Sequence, residues 1–225
     1  MKKFTKKDKR KIELTIIILI AILSILFWNS FVIFPIKTFV VLMHEIFHGI
    51  AAILSGGKVI NIVVNTNLGG ECITDGGIPI FIASSGYLGS LLIGSSLFIS
   101  AYKYKFSLWI CTILSIVILL FTANFINGTF GIATAIAFTI ILYISPRYFN
   151  KTIHSYLMKI LGLISSLYVL IDIKEDLITL TYRPTDAQIL SELTGINALF
   201  WGVLWLIISL VVVYFLFKES YEKGL

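Results

Sequence analysis

Residues 38–54, TFVVLMHEIFHGIAAIL, place three ionisable side chains inside an otherwise apolar run. A run of this kind is close to the length that an α-helix needs to cross a bilayer. An ionisable residue at the middle of such a helix costs on the order of 3 kcal/mol on insertion scales, so it is typical of a bound ligand or a wet cavity. The stretch therefore predicts a membrane helix that carries chemistry.

The three side chains form an HExxH motif, His44-Glu45-Ile46-Phe47-His48. Positions i and i+4 lie on one face of a helix, so both imidazoles can bind a single zinc ion. The ion lowers the pKa of a bound water from about 15.7 toward 7, which yields a nucleophile at neutral pH. Glu45 would take the proton of that water and later pass it to the leaving amine. The motif predicts His44 and His48 as metal ligands and Glu45 as the catalytic residue.

A third ligand is expected, because catalytic zinc commonly uses two histidines and a carboxylate. We favour Asp172, since it is flanked by apolar residues and would be costly if unpaired. Asp176 and Asp186 remain alternatives. His154, in the polar linker 146–155, is more typical of a solvated interface residue. Cys72 and Cys111 lack the spacing of a thiolate zinc site or a disulfide framework.

The composition indicates a membrane protein. Of 225 residues, 58% are hydrophobic and 13% are charged, whereas a soluble domain has roughly 25% charged residues. The net charge of +6 is concentrated in the first eleven residues. An apolar run follows almost at once, so this tail predicts a cytoplasmic N-terminus beside anionic lipids of the cell membrane rather than nucleic-acid binding.

The fold class expected is an all-α polytopic membrane protein with six or seven transmembrane helices. The candidate spans are residues 14–34, 38–54, 78–100, 106–123, 130–145, 156–173 and 197–217. Pro35 is expected to break the chain after the first span, and residues 124–128, NFING, to form a turn. We expect a basic tail over residues 1–13, one membrane domain over 14–217 and a C-terminal tail over 218–225.

Two polar segments interrupt the spans. Residues 56–77 contain a β-branched run, a turn with the chemistry of Asn67 to Gly70 and a second short run, which predicts a β-hairpin between the second and third spans. An open sheet edge cannot face lipid, so the hairpin is expected at the interface or lining a cavity. Residues 174–196 include a short capped helix that starts near Thr185 and ends at Gly195.

A stripe of small residues runs along the third span. Gly86, Ser90 and Gly94 follow each other at intervals of four, and Ser85 and Gly89 widen the stripe. Small residues let helix backbones approach closely. The stripe predicts tight packing, which can press this helix against the HExxH helix.

Three segments together resemble the site-2 protease group of intramembrane zinc metalloproteases, in its M50B-like branch. They are HEIFHGIAAILSGG with the hairpin behind it, ASSGYLGS, and LYVLIDIKEDL with TDAQILSELTGINALFWGVLW. The resemblance implies zinc held by His44, His48 and a distal aspartate, with Glu45 as acid and base. It also implies that residues 58–74 present a strand edge to an unwound transmembrane substrate.

Two other functions fit a membrane protein with this motif. One is a metal-binding regulator or scaffold without hydrolysis, and the other is an ion-coupled transporter. The chain shows no repeated halves and no pair of broken helices in corresponding positions, which disfavours transport. The substrate, the oligomeric state and the side to which the site opens are not fixed by the sequence.

Overall fold

The computed structural model describes the backbone of residues 5–178 and 185–223 and the side chains of residues 5–173 and 185–223. Helices dominate these residues. In chain order they are α1 (Lys6–Leu26), α2 (Phe34–Leu54), α3 (Pro79–Ser100), α4 (Tyr104–Asn124), α5 (Thr129–Tyr148), α6 (Lys151–Ile178), α7 (Asp186–Thr194) and α8 (Ala198–Lys223).

Six of these helices are long and apolar enough to cross a membrane, namely α2, α3, α4, α5, α6 and α8. A helix of 21 residues, such as α2, is about 32 Å long, which matches a hydrocarbon core of about 30 Å. Exposed apolar side chains, including Trp109 and Leu210, cover the outer surfaces of these helices. The predicted class, a polytopic all-α membrane protein, is confirmed.

The first predicted span, residues 14–34, is wrong in its bounds. Helix α1 begins at the capping box of Thr5 and Asp8 and ends at Leu26, and residues 27–33 form turns. The apolar part of α1 from Leu14 is only about 20 Å long as a helix, and basic residues fill the part before it. Pro35 lies in the first turn of α2, where its missing N–H costs no hydrogen bond.

The predicted hairpin is present between α2 and α3. Strand β1 (Lys58–Val64) pairs antiparallel with β2 (Gly70–Asp75), with a bulge between Val59 and Asn61. A third strand, β3 (Ile126–Asn127), pairs parallel with β1. The segment 124–128, which the sequence predicts as a turn, therefore also supplies a strand. Two residues are too few to show a strand pattern in the sequence. Within residues 5–178 and 185–223, the strand order β2-β1-β3 leaves one edge of β2 unpaired.

Close contact between α3 and two neighbours positions the site. A Cβ atom on Gly162 of α6 would lie 2.5 Å from the carbonyl oxygen of Gly94, so these two helices touch through their glycines. A Cβ atom on Gly89 would overlap the side chain of Phe47 on α2. The predicted stripe of small residues thus packs α3 against both helices, as such stripes do in membranes.

Candidate metal centre and active site

Helix α2 delivers the HExxH side chains to the interior. Glu45 and His48 are 6% and 7% exposed, and 18% of the His44 side chain is exposed. The imidazole rings of His44 and His48 meet edge to face with centroids 4.6 Å apart. The i, i+4 spacing therefore places both rings on one buried face, as predicted.

A carboxylate from α7 faces both rings. Asp186 Oδ2 lies 3.2 Å from His44 Nε2, and Asp186 Oδ1 lies 3.4 Å from His48 Nε2. Asp186 is the first residue of α7, directly after the N-cap Thr185, whose capping box with Gln188 fixes the start of the helix. This local structure sets the direction in which the Asp186 side chain enters the site.

The backbone of α3 orients His48. Its Nδ1 lies 2.7 Å from the carbonyl oxygen of Ile82, which can only accept a hydrogen bond. Nδ1 therefore carries the proton, and in the neutral ring Nε2 keeps its lone pair directed at the cluster. The Ser85 hydroxyl lies 2.6 Å from the carbonyl oxygen of Ile82 on α3 and 3.0 Å from that of Phe47 on α2, so its single proton is shared between the two helices. Such outer contacts are what fix histidine ligands in metal sites.

Gly86 provides the room for the two rings. A Cβ atom at this position would lie 2.5 Å from His44 Nε2 and 2.5 Å from His48 Nε2. Tyr87 follows, with its ring 4.9 Å from that of His44 and 4.9 Å from that of Trp205. The SGYLGS segment thus forms the wall of the site on the α3 side.

The hairpin forms the opposite wall. A Cβ atom on Gly70 would overlap the carboxylate of Glu45, so this side chain packs directly on the first residue of β2. A cavity of about 760 Å³ opens between the hairpin and the helices, and His44, Glu45, His48 and Asp186 line it. A volume of this size is typical of a ligand site.

The donor set of the cluster fits a zinc ion. The candidate ligand atoms of His44, His48 and Asp186 lie within 4.8 Å of one another. Zinc bonds of about 2.0–2.1 Å in a tetrahedron separate neighbouring ligand atoms by about 3.4 Å, close to the two distances across this cluster. Among the described residues, no donor makes a hydrogen bond of good geometry to the buried Asp186 Oδ2. Two imidazoles and a carboxylate, with room for water, are the donor set of catalytic zinc.

The charge of Asp186 is set by two opposing effects. Burial disfavours the carboxylate, but the facing imidazoles of His48 and His44 outweigh burial and hold the pKa of Asp186 well below its usual value. The carboxylate is therefore ionised at neutral pH, as a metal ligand must be.

The structure places the other predicted candidates differently. Asp172, the carboxylate that the sequence favours as third ligand, lines the same cavity. The carboxylate grouped with the two imidazoles is Asp186, one of the two alternatives. The side chain of Asp176 lies outside the described residues. His154 is not a solvated residue, because it lies in α6, is 3% exposed and contacts the hydroxyls of Ser107 and Ser145.

The arrangement defines a polytopic membrane protein with a buried His₂-carboxylate cluster and an adjacent glutamate. A family model described as Peptidase M50B-like matches residues 16–216, and the chain belongs to this family. Membership indicates a function of the membrane metallopeptidase type. No curated protein and no solved structure matches the chain.

Proposed function

We propose that the protein is an intramembrane zinc metalloendopeptidase that hydrolyses peptide bonds in or near transmembrane segments. The observation that carries the proposal is the juxtaposition of His44, His48 and Asp186 with Glu45 at one cavity. His44, His48 and Asp186 would hold the ion. A zinc ion bound there would supply an activated water and polarise the carbonyl of the scissile bond.

Glu45 is the group that moves the proton. Its carboxylate lines the cavity beside the two histidines and accepts no hydrogen bond from the described residues. Glu45 takes a proton from the attacking water and returns it to the amine nitrogen that leaves.

The substrate proposed is a transmembrane protein that unwinds locally. A membrane helix hides its peptide bonds in its own hydrogen bonds, so an extended segment must be trapped before attack. The face of β2 that carries Gly70, Cys72 and Thr74 lines the cavity, and no strand among the described residues pairs with the outer edge of β2. An extended segment can add to that edge as a further strand, and the main-chain hydrogen bonds would hold it beside Glu45.

The membrane setting follows from the six apolar helices. In our proposal the basic N-terminal tail lies in the cytoplasm, beside the anionic lipids of the cell membrane. The bilayer then acts as the shared solvent of enzyme and substrate.

The test is cleavage by the full-length protein in lipid vesicles. The substrate is a transmembrane peptide with a central helix-breaking glycine pair, and its products are measured by mass spectrometry. Glu45→Gln should lower turnover by about 10²–10⁴-fold, and the zinc content should not change. Glu192→Gln is the matched control, because Glu192 is exposed on α7 and does not line the cavity. Turnover retained in Glu45→Gln would refute the mechanism.

A further inference from the structure

The cavity carries an excess of negative charge. Its lining includes four carboxylates, those of Glu45, Glu71, Asp172 and Asp186, and no lysine or arginine among the described residues. The cavity thus differs in sign from the chain, whose net charge is +6.

Glu71 is the carboxylate best placed to meet a bound peptide. It is an exposed residue that lines the cavity, and it lies on β2, whose outer edge pairs with no strand among the described residues. It follows Gly70, on which Glu45 packs. A segment that pairs with β2 therefore passes Glu71 within a residue or two of the site of attack.

A second feature of the same cavity points to a ligand. Glu45 is more than nine-tenths buried, lines the cavity and accepts no hydrogen bond from the described residues. Because this carboxylate lines the cavity, an occupant of the cavity can supply the hydrogen-bond partner that the described residues do not. The clustered charge and the buried glutamate together favour a polar, positively charged occupant.

We infer that the site selects substrates with a lysine or arginine beside the scissile bond, and that Glu71 is the specificity-determining residue. This inference rests on the proposed function. A cleft with low-dielectric walls and charge of one sign focuses the field on its occupant. Glu71 would therefore raise the affinity for a cationic segment more than for a neutral segment of the same length.

Binding tests the inference apart from catalysis. The probes are two transmembrane peptides that differ only at the residue after a central glycine pair, lysine in one and glutamine in the other. Full-length protein with Glu45→Gln is placed in zwitterionic vesicles, so that lipid charge does not bind the lysine. At about 50 mM salt, where screening is weak, the lysine peptide should bind about 5–10-fold more tightly.

Glu71→Gln, added to Glu45→Gln, should lower that ratio at least about threefold. The matched control is Asp75→Asn. Asp75 is also exposed on β2, but it does not line the cavity and pairs in register with Lys58. The control should keep the ratio. A ratio that Glu71→Gln leaves unchanged, or that Asp75→Asn lowers equally, overturns the inference.

Cleavage by the unmodified protein separates this inference from the proposed function. Faster cleavage of the lysine peptide supports both. Absence of cleavage with the binding ratio intact refutes the enzyme but supports the selectivity of the cavity. If both peptides bind equally and are cleaved at equal rates, the preference for lysine is refuted and the proposed proteolytic function is supported.

Discussion

Two regions of the molecule contain buried histidines, and their surroundings differ. His44 and His48 face the carboxylate of Asp186 and an open cavity. His154 lies between α4, α5 and α6. Ser107 Oγ is 2.6 Å from its Nε2 and Ser145 Oγ is 3.2 Å from its Nδ1. We call these three residues and the side chains packed around them the closed group. Both ring nitrogens of His154 are thus satisfied by hydroxyls. A buried histidine in a membrane protein is therefore not by itself a site, because its partners decide its role.

The two cysteines repeat this contrast. Cys72 is half-buried on β2 and lines the cavity. Cys111 is fully buried beside Met158, with the two sulfur atoms 3.4 Å apart, in the closed group. We call the first region the open site. The open site lines a cavity with three candidate metal ligands, and the closed group joins three helices.

The largest difference is expected in metal binding. His48→Ala removes a proposed ligand of the open site, and zinc affinity should fall by more than about 100-fold. Mutation of a residue that only hydrogen-bonds to a metal ligand already lowers metal affinity by about 10–100-fold. His154→Ala should retain about one zinc per chain. Metal analysis of the purified variants measures both. Loss of zinc in His154→Ala would break the distinction between the two regions.

A smaller loss is expected when the space for the rings is filled. Gly86→Ala places a methyl group against His44 and His48, and overpacking of this kind costs about 1–3 kcal/mol. If this cost falls on the metal-bound arrangement of the rings, zinc affinity should decrease roughly 10- to 100-fold. Gly131→Ala is the control, because its nearest neighbour would be 3.3 Å from the new atom. Equal zinc affinity in Gly86→Ala and the unmodified protein would contradict the described geometry.

Stability rather than metal binding should change in the closed group. Ser107→Ala leaves Nε2 of His154 without its hydroxyl, and an unsatisfied buried polar group costs about 1–3 kcal/mol. The expected result is a lower unfolding temperature at unchanged zinc content. Ser84→Ala serves as control, since the one hydrogen bond that the Ser84 side chain makes within the described part of the chain is to the carbonyl oxygen of Ile80 in its own helix. A stability change that is no larger than in the control would show that the closed group is not a structural network.

The smallest effect concerns thiol reactivity. Burial, with a further contribution from the charge of Glu45, raises the pKa of Cys72 to about 12. The thiolate fraction at neutral pH is therefore small, and alkylation of Cys72 should accelerate about tenfold per pH unit up to that value. Glu45→Gln removes one cause, so it should lower the pKa and speed alkylation about two- to threefold. Mass spectrometry measures the alkylation rate of Cys72, with the buried Cys111 as the unreactive reference. Slower alkylation of Cys72 in Glu45→Gln than in the unmodified protein would contradict the proximity of Glu45 and the hairpin.

The sequence was sufficient for the elements with strong local signals. The apolar runs predicted the membrane helices, and the β-branched run with the turn at Asn67 predicted the hairpin. Helix periodicity placed His44 and His48 on one face. The sequence does not predict the bounds of α1, because they depend on how many of the basic residues join the helix. It does not predict the strand at Ile126 either, because that strand forms by pairing with β1, which is distant in sequence.

The choice of carboxylate shows a limit of local reasoning. Asp172 was favoured because its neighbours are apolar, which measures only the cost of leaving it unpaired. Asp186 lies beside the imidazoles because Thr185 and Gln188 start α7 there, after a connection whose path the sequence does not specify. The capping box was visible in the sequence, but its position relative to α2 was not.

The zinc content of two matched variants shows which carboxylate completes the metal centre. Asp186→Ala and Asp172→Ala each remove one carboxylate from the same cavity. We expect Asp186→Ala to lose the ion, whereas Asp172→Ala should retain about one zinc per chain. Retention of zinc in Asp186→Ala, with its loss in Asp172→Ala, would contradict this expectation.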